Sequence, residues 1–238
     1  MEKKYSLTVI VPVFNEEESL PRLKKELDQF IRKSPEKTKI LFVDDHSIDG
    51  SLELIRKYSE EDEYDYLSLE KNSGLSTALK AGIDHVDTPY AAYIDADLQT
   101  HPMDFLLFYP YMREYTLING IRQNRSDTFV KRVSSRIANA FRRWMIKDNI
   151  QDTCCPLKIM HTQAAQEIPF FKGMHRFLPA LIMLKGGTVK EIPVRHFPRI
   201  AGEAKYHLFN RLVGPLFDTF AFVWMRKRNI QYKIQERS

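Results

Sequence analysis

Cysteine is nearly absent from this chain of 238 residues: Cys154 and Cys155 are the only two, and they are adjacent. Adjacent cysteines fit neither a disulfide framework nor a zinc site, and they point to a reducing compartment. Long apolar runs are missing too. The longest candidate, residues 212–225, falls short of the roughly 20 uninterrupted apolar residues of a membrane span. It also contains Pro215 and Asp218, so the chain is expected not to cross a bilayer by itself. Lys3 and Lys4 precede an apolar run at residues 7–13, but that run is short and carries Pro12; it reads as a strand, not a signal peptide. Internal repeats and low-complexity linkers are absent. Acids are scarce in one stretch: between Gly120 and Lys147, Asp127 is the only acid against Arg122, Arg125, Lys131, Arg132, Arg136, Arg142, Arg143 and Lys147. Arg226, Lys227 and Arg228, with Lys233 and Arg237, form a second basic cluster near the end. Such patches indicate an anionic partner: a nucleotide, a lipid phosphate, a membrane surface or nucleic acid.

What is present is an ordinary soluble composition, 43% hydrophobic and 28% charged with a net charge of +5, enough for a real core in one large domain or a domain with an appendage. Residues 7–13 (L-T-V-I-V-P-V) are β-branched and nearly all apolar, as in a central parallel strand covered on both faces. Residues 14–19 form a polar turn opening a helix to about Lys33, with acids expected in its first turn, where the helix dipole favours them. A second strand at 39–43 ends in Asp44-Asp45-His46-Ser47, and Asp49 is expected to cap a helix ending near Tyr58. A third strand at 64–69, a turn at 72–76, a helix containing the small residues Ala78, Ala81 and Gly82, and a fourth strand at 90–94 follow. This alternation predicts an α/β fold with an open, mostly parallel sheet flanked by helices. The ligand crevice of such sheets lies beyond the carboxyl ends of the strands. Asn15 and Glu16, Asp44 and Asp45, and Asp95 and Asp97 all fall there. Three acidic edges on one rim cost electrostatic energy, and a site is the better explanation.

The centre of that rim is Tyr93-Ile94-Asp95-Ala96-Asp97-Leu98-Gln99. In an extended segment, residues two apart project from one side, so Asp95, Asp97 and Gln99 are expected to converge. Two nearby carboxylates repel unless a cation or proton sits between them. Hard oxygen ligands suit Mg²⁺ or Mn²⁺, with substrate phosphates filling the remaining positions. For a lone D-x-D, a solvated strand-to-loop turn is the plainer alternative.

Further along, Pro102 sits in the first turn of a helix, residues 115–119 form a short strand, and a loop carries Arg122 and Arg125. Residues 131–147 are expected to be an amphipathic helix. Residues 152–160 are ambiguous. A short helix at 174–184 and an edge strand at 189–196 precede a loop at 198–206. The segment from there to about Asn229 has apolar residues on more than one face. It reads either as a buried core helix or, with its Trp, Phe surplus and basic flank, as a helix lying in a membrane interface. Pro215 is expected to kink or split it. The division adopted is 1–206 for the α/β domain and 207–238 for an amphipathic, membrane-interface tail.

Taken in order and spacing, V-I-V-P-V-F-N-E-E-E-S-L, V-D-D-H-S-I-D-G and D-A-D-L-Q resemble family 2 glycosyltransferases of the GT-A (Rossmann-like) fold. The likeness is to the dolichyl-phosphate mannosyltransferase type, including bacterial polyprenyl-phosphate glycosyltransferases. G-I-R-Q-N-R-S-D, D-T-C-C-P-L-K, H-R-F-L-P and V-R-H-F-P-R-I-A-G-E-A-K-Y extend the resemblance over roughly residues 6–210. It implies that Pro12, Phe14, Glu16, Val43 and Asp45 line a nucleotide pocket. It also implies that Asp95, Ala96, Asp97 and Gln99 meet the diphosphate and its metal, and that Arg122, Arg199 and Lys205 reach donor or acceptor phosphates. His175 matches a family marker; His46, His101, His161 and His196 read as surface or structural. Phe14 and Ala204 depart from the Tyr and Ser often found there, and many members continue into transmembrane helices.

The chemistry implied is metal-dependent, inverting transfer of a hexose from a nucleotide sugar, of the GDP-mannose or UDP-glucose type, to a polyprenyl or dolichyl phosphate. Mg²⁺ or Mn²⁺ held by Asp97 with Asp95 and Gln99 would neutralise the leaving diphosphate, with Arg199 and Lys205 adding charge. The acceptor is already an anion and needs cations more than a base, for which Arg122, Arg125, Lys131 and Arg136 qualify. Asp97 and Arg122 are the expected catalytic pair. The expected setting is cytoplasmic and peripheral, on the inner face of a membrane, with a separate membrane protein as a further partner and no nucleic acid, which the acidic rim would repel. The alternatives are transfer to a sugar hydroxyl in cell-surface glycan synthesis and an inactive membrane-surface binding protein.

Overall fold

The computed structural model describes residues 5–123, 142–198 and 208–230. Arg125, Lys131, Arg136, Arg199 and Lys205 lie outside them. So does most of the helix expected at 131–147, of which residues 142–146 are described and helical.

The first strand, β1 (Leu7–Val13), is buried along its whole length. Its apolar residues need cover on both faces, and the fold supplies it. Leu7, Val9, Val11 and Val13 pack with Leu20, Leu23, Leu27 and Phe30 of α1 (Leu20–Lys33) on one side. Ile10 faces the other side, with Ala78, Leu79 and Ile83 of α3 (Leu75–His85). Each such side chain contributes about 1.5–3 kcal/mol by leaving water. Gly82 is what lets α3 come close, since a Cβ there would stand 2.5 Å from Ile10 Cγ2. The chain continues through β2 (Thr38–Asp44), α2 (Ser51–Tyr58) and β3 (Tyr64–Ser68) before α3, and reaches β4 (Tyr90–Tyr93) after it.

Beyond β4 the alternation stops. A 3₁₀ helix (Pro102–Leu107) stands where Pro102 led us to expect a helix, its first turn accepting at His101 Nδ1 from the Met103 N–H. Then come β5 (Leu117–Arg122), β6 (Lys158–His161), α4 (Thr162–Glu167), α5 (Leu178–Leu184), β7 (Val189–Val194) and α6 (Leu208–Arg228). The sheet order is β3-β2-β1-β4-β6-β5-β7. β6 alone runs antiparallel, against both β4 and β5, while β5 and β7 pair in parallel. The expected mostly parallel α/β sheet, flanked by helices, is what forms. The ambiguous residues 152–160 turn out to lead into its one reversed strand.

Three local expectations are corrected. Glu16, Glu17 and Glu18 precede α1 instead of forming its first turn, because the helix starts at Leu20 with Pro21 in that turn. Gly50, not Asp49, takes the N-cap position of α2, although Asp49 Oδ1 accepts from the Ser51 N–H at 3.0 Å. α6 is one helix of 21 residues through Gly214 and Pro215, not two.

Candidate active site at the carboxyl ends of the strands

Two of the acidic loops are built from each other. Asn15, at φ 52°, receives the Ile48 N–H on Oδ1 at 2.8 Å and gives its own N–H to Ser47 Oγ at 3.0 Å. The Glu16 N–H donates to Ser51 Oγ, and Glu17 Oε2 accepts from the Gly50 N–H at 2.9 Å. Glu16, an expected donor contact, also accepts the Ser19 hydroxyl at 3.0 Å. The N-E-E turn after β1 and the D-D-H-S-I-D-G turn after β2 are therefore one rigid unit. Pro12 and Val43 sit beneath it, paired across β1 and β2 and buried, and Phe14 stands half-buried at its edge. Asp44 is fully buried and accepts from the Ser47 N–H. Asp45 spends both oxygens on backbone, Oδ1 on the Ser73 N–H at 2.8 Å and Oδ2 on the Gly74 N–H at 2.7 Å. Asp45 thus fixes the turn that starts α3, and Gly74 at φ 86° suits that turn as no side-chain-bearing residue does.

The third acidic loop departs from its expected geometry. β4 ends at Tyr93, and residues 95–99 form a turn, with Leu98 at φ 56°. The period-two projection of Asp95, Asp97 and Gln99 therefore does not apply, because an alternating pleat needs a strand to continue. Asp97 is buried at 6% exposure and braces the turn, its Oδ1 accepting the Gln99 N–H at 3.1 Å. Tyr93 donates its hydroxyl to Asp95 Oδ1 at 2.5 Å. Burial, and then the Asp95 charge, hold that phenol well above its ordinary pKa, so it stays a donor. The Gln99 carbonyl accepts from the Phe197 N–H at 3.0 Å and from His196 Nδ1 at 3.1 Å. This ties the stretch after β7, which leads towards Arg199 and Lys205 in sequence, to the acidic turn. Among the described residues no three His, Cys, Asp or Glu side chains gather as a metal cage. Two carboxylates on one turn, Asp95 and Asp97, suit a divalent ion that completes its shell with substrate phosphate and water.

Asp95 and Tyr93 open onto a small cavity of ≈ 110 Å³ whose other walls include Leu75, Thr153, Cys154, Lys158, His175 and Arg176. Several of these carried no assigned role in the sequence. Lys158 is buried at 1% exposure on β6. Its ammonium donates to Asn119 Oδ1, to the Thr153 carbonyl at 3.2 Å and to the Cys155 carbonyl at 2.5 Å. Burial lowers its pKa, and nearby Cys155 and Asp152 oppose that. The signal that could have found it is a lysine ending D-T-C-C-P-L-K just before an apolar strand.

Arg122 is not poised as an open phosphate hook. Its Nε and Nη2 both donate to the Asp152 carboxylate at 2.8 Å, and its backbone N–H adds a third bond at 3.2 Å. A phosphate contact from Arg122 would have to use Nη1 or the second N–H of Nη2.

His175 closes the cavity from the other side. Ser76 Oγ accepts the Gly173 N–H at 2.9 Å, so its own proton goes to His175 Nδ1, 2.6 Å away. The ring proton then resides on Nε2. Burial, aided by Arg176 and Lys158, pushes the ring's pKa down to about 3. An unfolded histidine protonates near 6.5, about 3.5 pH units higher, so between those values the unfolded chain holds the extra proton. The stability this neutral ring contributes is therefore complete above about pH 6.5 and declines as the pH falls. Between pH 7 and pH 5 the wild-type chain is expected to lose ~2 kcal/mol more than His175→Gln. Urea unfolding at both pH values measures this, and equal losses would mean that the ring titrates normally.

The profile of glycosyl transferase family 2 matches residues 8–169. Undecaprenyl-phosphate 4-deoxy-4-formamido-L-arabinose transferase of Salmonella choleraesuis (strain SC-B67) is 30% identical over 215 residues, which are 89% of this chain and 65% of that protein. The Salmonella newport (strain SL254) protein of the same name matches equally. The chain thus spans just under two thirds of the length of these relatives. Among solved structures, glucosyl-3-phosphoglycerate synthase from Mycobacterium tuberculosis in complex with Mn²⁺ and UDP-glucose superposes with a TM-score of 0.67 at 13% identity, covering 95% of this chain and 80% of that one. The same synthase with Mg²⁺ and UDP gives 0.67 at 13%, covering 95% and 81%. At that identity the likeness is one of fold.

Proposed function

The chain belongs to glycosyl transferase family 2, and from that premise we propose that it moves a sugar from a nucleotide sugar to a polyprenyl phosphate at a membrane surface, with inversion and with Mg²⁺ or Mn²⁺. The observation that carries this reading is the cavity at the end of β4, where Asp95 shares one small space with the cationic side chain of Arg176. A carboxylate that can hold a metal, beside a cation that can hold phosphoryl oxygen, is what departure of a nucleoside diphosphate requires. The names of the Salmonella relatives support a polyprenyl-phosphate acceptor.

Asp95 and Asp97 would hold the divalent ion, which when bound would supply Lewis-acid stabilisation of the leaving diphosphate. The protein's own groups do the rest. The joined β1 and β2 loops, with Pro12, Phe14, Glu16, Val43 and Asp45, form the proposed nucleotide wall, and Ala96 and Gln99 the floor beneath the diphosphate. Arg199 and Lys205 are proposed to reach the donor phosphates, and Arg125, Lys131 and Arg136 the acceptor phosphate; Arg122, paired with Asp152, has only its remaining guanidinium N–H groups to offer. An oxygen of the acceptor phosphate attacks the anomeric carbon from the face opposite the nucleotide. The bond from that carbon to the diphosphate oxygen breaks, and the configuration inverts. The nucleophile is already ionised, so no side chain need remove a proton.

Docking falls to α6, which lies within the 207–238 tail of the proposed division. No helix among the described residues is long and apolar enough to cross a membrane. Yet α6 exposes Leu216, Phe217, Phe220 and Trp224 on one side, Phe217 at 69% and Trp224 at 63%. Its opposite side is buried, with Phe222 stacked on Phe177 at 5.7 Å. Arg226, Lys227 and Arg228 follow, and Arg226 caps the helical turn at 142–146 through the Met145 and Ile146 carbonyls. An apolar face ended by cations fits an anionic bilayer surface, at about 1 kcal/mol per basic residue near the lipid.

The test is to incubate the chain with Mn²⁺, a panel of nucleotide sugars, and polyprenyl phosphate in anionic vesicles. A β-linked lipid-phosphate sugar from an α-linked donor, abolished by EDTA, is the expected product. Retained configuration, or turnover confined to a soluble sugar acceptor, rejects the reading.

A further inference from the structure

Arg176 lines the cavity, yet what aims it comes from α6. Its Nη1 donates to Asp218 Oδ2 at 3.0 Å, with both side chains largely covered. Asp218 lies one helical turn before Phe222, whose ring is stacked at 12° on Phe177, the residue next to Arg176. The same carboxylate rests on the backbone of Gly173: a Cβ on that glycine, which has φ +93°, would stand 2.3 Å from Asp218 Oδ2. On the other flank the Gly173 N–H and His175 Nδ1 both bond to Ser76 Oγ of α3. The turn bearing His175 and Arg176 is thus clamped between α3 and α6. The polar part of the clamp on the α6 side is the Asp218 carboxylate, on the helix whose far face is apolar and exposed.

Building on the transfer reading above, we propose that Asp218 is a positioning residue that holds the Arg176 guanidinium towards the cavity, where that cation binds a phosphoryl oxygen of the substrates. The geometry gives this pair a purpose that stability alone does not. Burial already pushes the Asp218 carboxyl above its ordinary range, so an apolar residue would be the easier occupant of this helix face. Because Asp218 and the exposed Phe217 and Phe220 share one helix, seating α6 on a bilayer and aiming Arg176 are mechanically the same event.

The experiment uses the full chain, with wild type, Asp218→Asn, Arg176→Ala, the double variant, and the exchanged pair Arg176→Asp with Asp218→Arg. Kinetics are run on whichever acceptor the wild type uses, polyprenyl phosphate in vesicles or a soluble acceptor, alongside vesicle co-sedimentation and thermal melts. Each single variant is expected to lose about tenfold or more in kcat/KM. The double variant should be no worse than Arg176→Ala, and vesicle binding should be unchanged. The exchanged pair should regain the melting temperature but not the turnover, since its cation now sits on the helix. Additive losses, wild-type kinetics in Asp218→Asn, or full turnover in the exchanged pair overturn the proposal. Varying donor and acceptor concentrations separately tells which phosphate Arg176 holds. A wild type active only on a soluble acceptor would reject the lipid reading and leave the Asp218 comparison to be decided on that acceptor.

Discussion

Replacing Asp97 with asparagine is expected to lower sugar transfer by about 10²–10³-fold, the range seen when one electrostatic stabiliser of a developing charge is removed. The substitution isolates charge from shape. Asp97 is buried, and its Oδ1 accepts the Gln99 N–H. An asparagine carbonyl accepts that bond equally well, so the turn at 95–99 should survive and the melting temperature should barely move. What disappears is the negative charge that, with Asp95, would hold a divalent ion beside the leaving diphosphate. The loss should appear in kcat, with a raised Mn²⁺ requirement. Near-wild-type transfer in Asp97→Asn, or turnover that survives exhaustive chelation, would remove the metal from the account.

The second large effect is on stability. Asp152→Ala is expected to destabilise the chain by about 3–5 kcal/mol, the usual cost of leaving one member of a buried ion pair alone. Arg122 is largely covered, with Nε, Nη2 and its backbone N–H all donating to Asp152. None of these donors has a ready substitute once the carboxylate is gone. Burial by itself would raise the Asp152 pKa, but the Arg122 bonds and charge outweigh it and hold the carboxyl below its ordinary value. The pair's contribution is therefore present above about pH 4, where an unfolded aspartate ionises, and is lost as the pH falls through the lower folded value. Urea unfolding of Asp152→Ala at pH 7 measures the loss. A change under 1 kcal/mol would mean that Arg122 finds other partners, which would return it to the list of free phosphate-binding cations.

The fate of Arg122 marks how far residues alone could be read. Its place in a basic loop made it a candidate for the acceptor phosphate, and nothing within ten positions in the sequence hinted at Asp152. Lys158 went unnoticed for the same reason. A lysine beside an apolar strand looks like a strand end until β6 is found reversed between β4 and β5, where the carbonyls of Thr153 and Cys155 surround its ammonium. The acidic turn was located correctly at the end of β4 but given the wrong local shape. A strand that lacks continued pairing turns, and side-chain alternation turns with it. α6 offered two readings, core helix or interface helix; one face is core, with Phe222 buried against Phe177, and the other is exposed and apolar.

Residues by themselves determined the order of strands and helices, the rim on which the acids fall and the family. Each rests on local patterns: apolar alternation, small residues at close approaches, and short motifs in fixed order. Tertiary structure alone decided which charges are available and which are already taken. Asp152 claims Arg122, Asn119 and two carbonyls hold Lys158, Asp45 is turned to the Gly74 backbone, and Asp218 reaches Arg176 from a helix 42 positions away. A charge's partner is set by distance through space and by exclusion of water, and neither is written in the neighbouring letters of the chain.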